Sequence, residues 1–216
     1  MNYEVVDTLY RSRVTLLEHL EESGYDTKPF SKFSHKEIQE MVKVSGALTK
    51  GAPAFQMELQ KKEGAPASDF DNCLVVYTLS RIKQKIDLWT SAILEPIETP
   101  KTELIVVTLE PIAPNFHAVA GSFWTNKKVR VRYFQAAAII NNPLKHVLVP
   151  KHEKVPKEEE EALLTNLNAK KNQFPLIRFH EDPIARMIGL LPGDIVKITR
   201  PSATAGECIM YRVCVP

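Results

Sequence analysis

The chain is poor in the features that would announce a function. It has three cysteines, Cys73, Cys208 and Cys214, an odd number with no CxxC pair. On one strand Cys208 and Cys214 would stand about 20 Å apart, too far to pair with each other. A reducing compartment and bystander thiols are expected. Charge of one sign is also lacking. A net charge of +2 is too small for a dedicated nucleic-acid binder, although a local basic patch remains open. No apolar run approaches the roughly 18 residues of a membrane span. The opening MNYEVVD has neither a basic nor an apolar signal region, so no signal peptide is expected. No G-x-S-x-G, HExxH, H-x-E…C-x-x-C or GK[ST] motif is present, and the six histidines are scattered. No catalytic residue, cofactor or metal is therefore expected.

What is present is ordinary globular material, 44% hydrophobic and 25% charged over 216 residues, enough for one large or two small domains. Val6, Leu9, Tyr10, Leu17 and Leu20 recur near the helical period, and Gly24 supplies a stop. Ser34 and Glu37 form a capping box for a second helix carrying Ile38, Met41 and Val42. Residues 45–70, rich in Gly, Ala, Pro and Lys, read as a loop with one short strand at Phe55–Leu59. Strands are expected at Asn72–Leu79 and Glu103–Glu110, a helix over 81–94 with Ile82, Ile86, Trp89 and Ile93 on one face, a short helix within PNFHAVAGSFWTN, and a strand in KVRVRYF. This alternation predicts an α/β domain with a largely parallel sheet over residues 1–138.

After Ala138 the texture changes. LKHVLVP reads as a short strand and VPKEEEEALLTNL as a helix with an exposed acidic first turn and Leu163, Leu164 and Leu167 on its buried face. DPIARMIGL reads as a helix capped by Asp182 with Pro183 in its first turn. GDIVKITR and ECIMYRVCV are the final strands, which makes residues 139–216 a small α+β module. The loop PSATAG between them could cradle a phosphate, but a strand follows it where a helix would be needed, so a hairpin connection is expected. His180, Glu181 and Asp182 adjoin one another, yet three consecutive residues cannot all face one ion, and a solvated loop is the expectation. In NKKVRVRYF, Lys128, Arg130 and Arg132 fall on one strand face, next to Lys127. Two readings fit: a cationic row that tracks a nucleic-acid backbone, or a solvated outer face.

The C-terminal motifs carry a resemblance. HVLVPKH, then DPIARMIGLLPGDIVKITRPSATAGECIMYRV, resembles the signature of the fifth-largest subunit shared by eukaryotic nuclear RNA polymerases and of its archaeal counterpart. The matching positions are His146, Leu148–His152, Pro175, Ile177, Asp182–Ala185, Gly189–Leu190, Gly193–Ile198, Arg200, Ser202, Thr204–Gly206 and Tyr211–Arg212. The match reaches weakly upstream through Phe134, Ala137 and Asn142, and LYRSRVTLLEHLEESGY is similar to the first helix of the eukaryotic form. Ala203 and Glu207 depart from the pattern, Gly46–Ser122 matches poorly, and the family's proline-containing loop near DNA has no evident counterpart. That divergence keeps a viral homologue in view.

The resemblance implies a non-catalytic polymerase subunit. Its C-terminal assembly domain would dock on the largest subunit, and its N-terminal domain would form part of the lower jaw near downstream duplex DNA. The implied location is the nucleus for a cellular chain, or a cytoplasmic viral factory or virion for a viral one. Candidate DNA contacts are Lys127, Lys128, Arg130 and Arg132. Candidate docking residues are His146, Pro150, His152, Asp182, Pro183, Lys197, Arg200, Tyr211 and Arg212. The alternatives weighed are a metal-dependent nuclease, for which Glu103 and Glu110 bracket a strand without the expected D…ExK arrangement, and a stand-alone DNA-binding regulator.

Overall fold

A strand buried on both faces reads as a continuous apolar run, and two such runs organise the first half of the computed structural model, which describes residues 3–45, 55–64, 69–95 and 101–216. These runs are β2 (Asn72–Thr78) and β3 (Thr102–Thr108). They pair in parallel, Leu74 beside Leu104, and β4 (Val131–Gln135) adds in parallel on the far side of β3, Val131 beside Leu104. The edge strand β1 (Met57–Gln60) runs antiparallel to β2 and alternates, with Met57 and Leu59 inward. The order is β1-β2-β3-β4, a mixed sheet that is mainly parallel, as the alternation predicts. Residues 46–54 and 65–68 of the loop expected over 45–70 lie outside the described residues.

Among the described residues four α-helices accompany this sheet: α1 (Tyr3–Glu22), α2 (His35–Ser45), α3 (Ile86–Leu94) and α4 (Pro114–Lys127). α1 buries Val6, Leu9, Leu16, Leu17 and Leu20, and Thr15 donates to the Ile140 carbonyl at 2.8 Å. It ends at Gly24, whose φ of 92° only glycine adopts without strain. The capping box of α2 forms: Ser34 N donates to Glu37 Oε2 at 2.6 Å, and Glu37 N donates to Ser34 Oγ at 3.4 Å. α3 is shorter than its periodicity suggests. Ile82 is buried but lies in a turn, because Lys83 N donates to Glu110 and the Lys83 carbonyl accepts from Asn115 Nδ2. Those bonds hold the backbone that a helix would need. Tyr133 of β4 meets Phe116 of α4 edge-on at 5.3 Å, and its hydroxyl lies 2.8 Å from Thr90 Oγ1 of α3.

The chain divides between Asn142 and Pro143 into two units. The second contains β5 (Lys151–Lys154), α5 (Lys157–Asn166), β6 (Leu176–Arg178), α6 (Pro183–Ile188), β7 (Ile195–Ser202) and β8 (Gly206–Val215). Its sheet order is β5-β7-β8-β6, with β7 antiparallel to both neighbours and β6 parallel to β8. PSATAG is the hairpin connection: Ser202 pairs with Gly206. Val155, Ile195 and Val213 form a core cluster against Leu163, Leu164, Phe174 and Tyr211.

Two expectations fail in α5. Leu167 is exposed and its place is taken by Glu160, which is buried and bridges to Lys171. The acidic run is therefore not uniformly solvated, because a charge can enter a partly apolar face when a lysine from beyond the helix meets it. Burial raises the Cys73 thiol well above its ordinary pKa and moves Cys214 up to about 12, so both are inert at neutral pH. No helix among the described residues is long and apolar enough to cross a membrane.

Candidate docking site

The motifs of the C-terminal unit are mostly devices that hold its turns. Asp182 Oδ1 accepts from Ile184 N at 2.8 Å and Ala185 N at 2.9 Å, capping α6, and Pro183 follows where no backbone donor is needed. A cap of this kind stabilises by about 1 kcal/mol. Gly189 closes the helix at φ 72°. In the next turn Gly193 has φ 96°, and Asp194 Oδ2 accepts from Leu191 N at 2.8 Å and from Lys154 Nζ at 2.9 Å. Gly193 N and the Asp194 carbonyl then bond to Cys214 at 2.8 Å each, which stitches the turn to β8. This explains why a glycine and an aspartate precede the β7 strand.

His180 is not on a solvated loop. It is buried beside Phe179, with ring centroids 6.1 Å apart, while Glu181 turns outward to Arg178 at 3.0 Å. The three neighbours therefore point to different tasks, and no group of three or more His, Cys, Asp or Glu among the described residues could hold a metal ion.

The candidate docking residues do not share one face. Lys197 and Tyr211 are direct register partners and project to the same side of the sheet. Arg200 pairs with Cys208 and Arg212 with Val196, on the opposite side by strand alternation. Arg212 Nη1 donates to the Leu176 carbonyl at 3.0 Å, so it ties β8 to β6. His152 Nδ1 lies 2.6 Å from the Pro150 carbonyl. His146 is exposed, and its Nδ1 accepts from Leu148 N at 3.2 Å.

The segment expected to be a strand, LKHVLVP, is instead a pair of turns. A 3-10 turn spans Pro143–Lys145, Val149 N returns to the His146 carbonyl at 2.9 Å, and Pro150 has no donor to give a sheet. Pairing begins only at Lys151. The strand expectation covers Val147 and Leu148 and misses that both stand in solvent. An extended reading of an apolar run hides such exposure, since burial is decided by what covers the run.

In the first unit the cationic row is not formed. Lys127 ends α4, and Lys128 is its left-handed cap at φ 56°, donating its N–H to Trp124 O at 3.1 Å. The strand starts only at Val131. The two lysine ammonium groups sit 5.1 Å and 5.4 Å from the ring centres of Phe123 and Trp124 and remain exposed. Arg130 and Arg132 do share a face, as the alternation predicts, but that face is inside. Arg130 Nε donates to Glu103 Oε2 at 2.6 Å and Arg132 Nη2 to Glu103 Oε1 at 3.0 Å, with Tyr25 OH donating to Oε1 at 3.0 Å. Burial would raise the Glu103 carboxyl, yet the two guanidinium groups overcome it and hold the pKa at about 2. Burial, and then the adjacent carboxylate, push the Tyr25 phenol up.

Glu103 is thus consumed structurally, which removes the carboxylate pair on which the nuclease reading rested. An open cleft of about 960 Å³ does lie at the carboxyl ends of β2 and β3, lined by Arg81, Lys83, Gln84, Glu110 and Pro114 among others. The residue pattern carries no signal for it, because its walls come from two separate loops.

Residues 141–214 match the family model described as RNA polymerase Rpb5, C-terminal domain. The chain is 42% identical over 111 residues to a Dictyostelium discoideum protein named DNA-directed RNA polymerases I, II, and III subunit rpabc1, a match covering 51% of this chain and 56% of that protein. It is 59% identical over 70 residues to DNA-directed RNA polymerase subunit Rpo5 of Archaeoglobus fulgidus, covering 32% of this chain and 91% of the relative. A Methanocaldococcus jannaschii subunit of the same name is 49% identical over 70 residues and is covered to 88%. Nearly the whole archaeal subunit is thus matched by this chain, and the chain belongs to the RNA polymerase Rpb5 C-terminal domain family.

Proposed function

We infer that this chain is a non-catalytic subunit of a multisubunit DNA-directed RNA polymerase. The C-terminal unit docks on the largest subunit, and the N-terminal unit serves as a jaw-like element near downstream DNA. One observation carries the reading: the family match over residues 141–214 nearly coincides with the compact unit Pro143–Pro216. A unit with its own sheet and core can be inherited whole and joined to a different N-terminal partner. In a eukaryotic cell this role places the chain in the nucleus. Affinity purification of the tagged full chain from its native source is expected to bring down the two large catalytic subunits. Recovery as a free monomer alone would count against the reading.

Contact with DNA belongs to the first unit and rests on Lys127 and Lys128, since Arg130 and Arg132 are occupied by Glu103. Two lysines give a weak, sequence-independent phosphate contact. The free chain is expected to bind a random duplex only feebly, with an affinity that falls with salt by a log–log slope no steeper than about −2. A salt-resistant preference for one sequence in a mobility-shift assay would favour the stand-alone regulator instead.

A further inference from the structure

The buried stripe of α1 runs Leu9, Arg13, Leu16 and Leu20, so an arginine stands where the helical period calls for an aliphatic side chain. Arg13 is 3% exposed, and its Nε and Nη1 are buried without a hydrogen-bond partner. A buried guanidinium is ordinarily met by a carboxylate. Among the described residues none faces this one: burial lowers the Arg13 pKa, and the titratable group acting against that is the Tyr77 phenol of β2. That phenol is no counter-charge. Tyr77 is fully buried, and burial pushes it up to about 12 against the pull of Arg13, so it is neutral at pH 7. Its hydroxyl has no hydrogen-bond partner either, and Ser12 beside it donates to the Leu9 carbonyl at 3.0 Å. The Phe33 ring lies 5.2 Å from the guanidinium carbon, but a ring face offsets only part of the cost of taking that charge out of water. Of the residues outside the described ones, only Glu98 has a carboxylate side chain.

We propose that Arg13 and Tyr77 form an internal site for a small monovalent anion of chloride size, which joins α1 to β2. The anion accepts from the guanidinium N–H groups and from the phenol O–H, and it neutralises a charge that no side chain beside it neutralises. The chemistry sets the ligand class. One guanidinium balances one negative charge, and a dianion would leave its second charge buried without a partner. A bulky anion would have to displace side chains that are 3% and 0% exposed. The site lies within the first unit and goes beyond the polymerase reading, whose failure would leave it standing.

The test uses the full chain at constant ionic strength, with chloride as the probe and gluconate as the bulky replacement. The unsubstituted chain is expected to broaden the chloride NMR line, and excess bromide should narrow it again. Replacing gluconate by chloride should raise the urea midpoint along a saturating curve. Tyr77→Phe removes one hydrogen bond to a charged acceptor and should weaken chloride binding by about tenfold. Arg13→Met should abolish the chloride response. In gluconate its midpoint should equal or exceed that of the unsubstituted chain, since an unpaired buried charge has been removed. Absence of line broadening by the unsubstituted chain would overturn the proposal, whatever the variants do. A chloride response kept in full by Arg13→Met would overturn it too, by placing the anion elsewhere. So would an Arg13→Met midpoint well below the parent's in gluconate, which would show the guanidinium to be satisfied within the fold.

Discussion

Replacing Glu103 with alanine is expected to destabilise the N-terminal unit by about 3–5 kcal/mol, the usual consequence of removing one partner from a buried ion cluster. Glu103 is fully buried, with Arg130 at 2.5 Å through Nη2 and Arg132 at 3.0 Å. Both arginine side chains are themselves mostly buried, 11% and 5% exposed. Without the carboxylate, two guanidinium groups on one face of the same strand segment would be left with no compensating charge from this residue. Arg130 also stacks on Phe70 at 4.3 Å, which limits its escape to water, although its partial exposure favours the lower end of the range. Urea unfolding monitored by tryptophan fluorescence at pH 7 measures the change, and a loss below about 1 kcal/mol would show the cluster to be incidental.

The same cluster sets an acid dependence. The Glu103 pKa is about 2 in the folded chain, against 4.5 for the free side chain. Above that unfolded value both states are ionised and the stabilisation is fully present. As pH falls from about 4.5 toward 2 the unfolded chain takes up the proton first, and stability declines by up to about 3 kcal/mol. A pH series of unfolding midpoints should show this decline in the unsubstituted chain, and Glu103→Gln should flatten it in that window. An unchanged slope in the variant would place the acid sensitivity elsewhere.

The second large effect concerns the C-terminal unit as a fragment. Residues from Pro143 to Pro216 are expected to fold alone with a single cooperative transition, since their sheet, caps and core cluster are all supplied from within. A fragment of roughly 70 residues has little reserve, about 3–5 kcal/mol from one core. Ile195 lies at the centre of that core, fully buried, paired with Val213 in the sheet, and its carbonyl accepts from Val155 N at 2.9 Å. Ile195→Ala removes about 2–5 kcal/mol, enough to consume most of the reserve. Circular dichroism should find the parent fragment folded and the variant largely unfolded at 37 °C. A parent fragment without a transition would mean that the boundary near Pro143 is misplaced. A variant with an unchanged midpoint would mean that the core lies elsewhere.

Local chemistry was legible in the residues. Ser34 with Glu37, Gly24, Asp182 with Pro183 and the hairpin at Ser202–Gly206 are short-range devices, each complete within a few positions, and each forms as its pattern predicts. The apolar runs of β2 and β3 likewise declared strands. The motif order from His146 to Arg212 pointed to the polymerase family, because caps and turns of fixed spacing leave a fixed signature. What the residues could not declare was which side of an element the rest of the chain would cover. Arg130 and Arg132 alternate as a solvated or phosphate-binding row would, yet a single carboxylate from the neighbouring strand turns that row inward. Val147 and Leu148 have the composition of a buried strand, yet local hydrogen bonds and Pro150 keep them out of the sheet and leave them in water. Sequence alone determined most of the elements, the short-range caps and the family resemblance. Tertiary structure decided which charges are buried and which apolar residues are exposed, because burial depends on neighbours distant in the chain, and period and propensity carry no information about those neighbours.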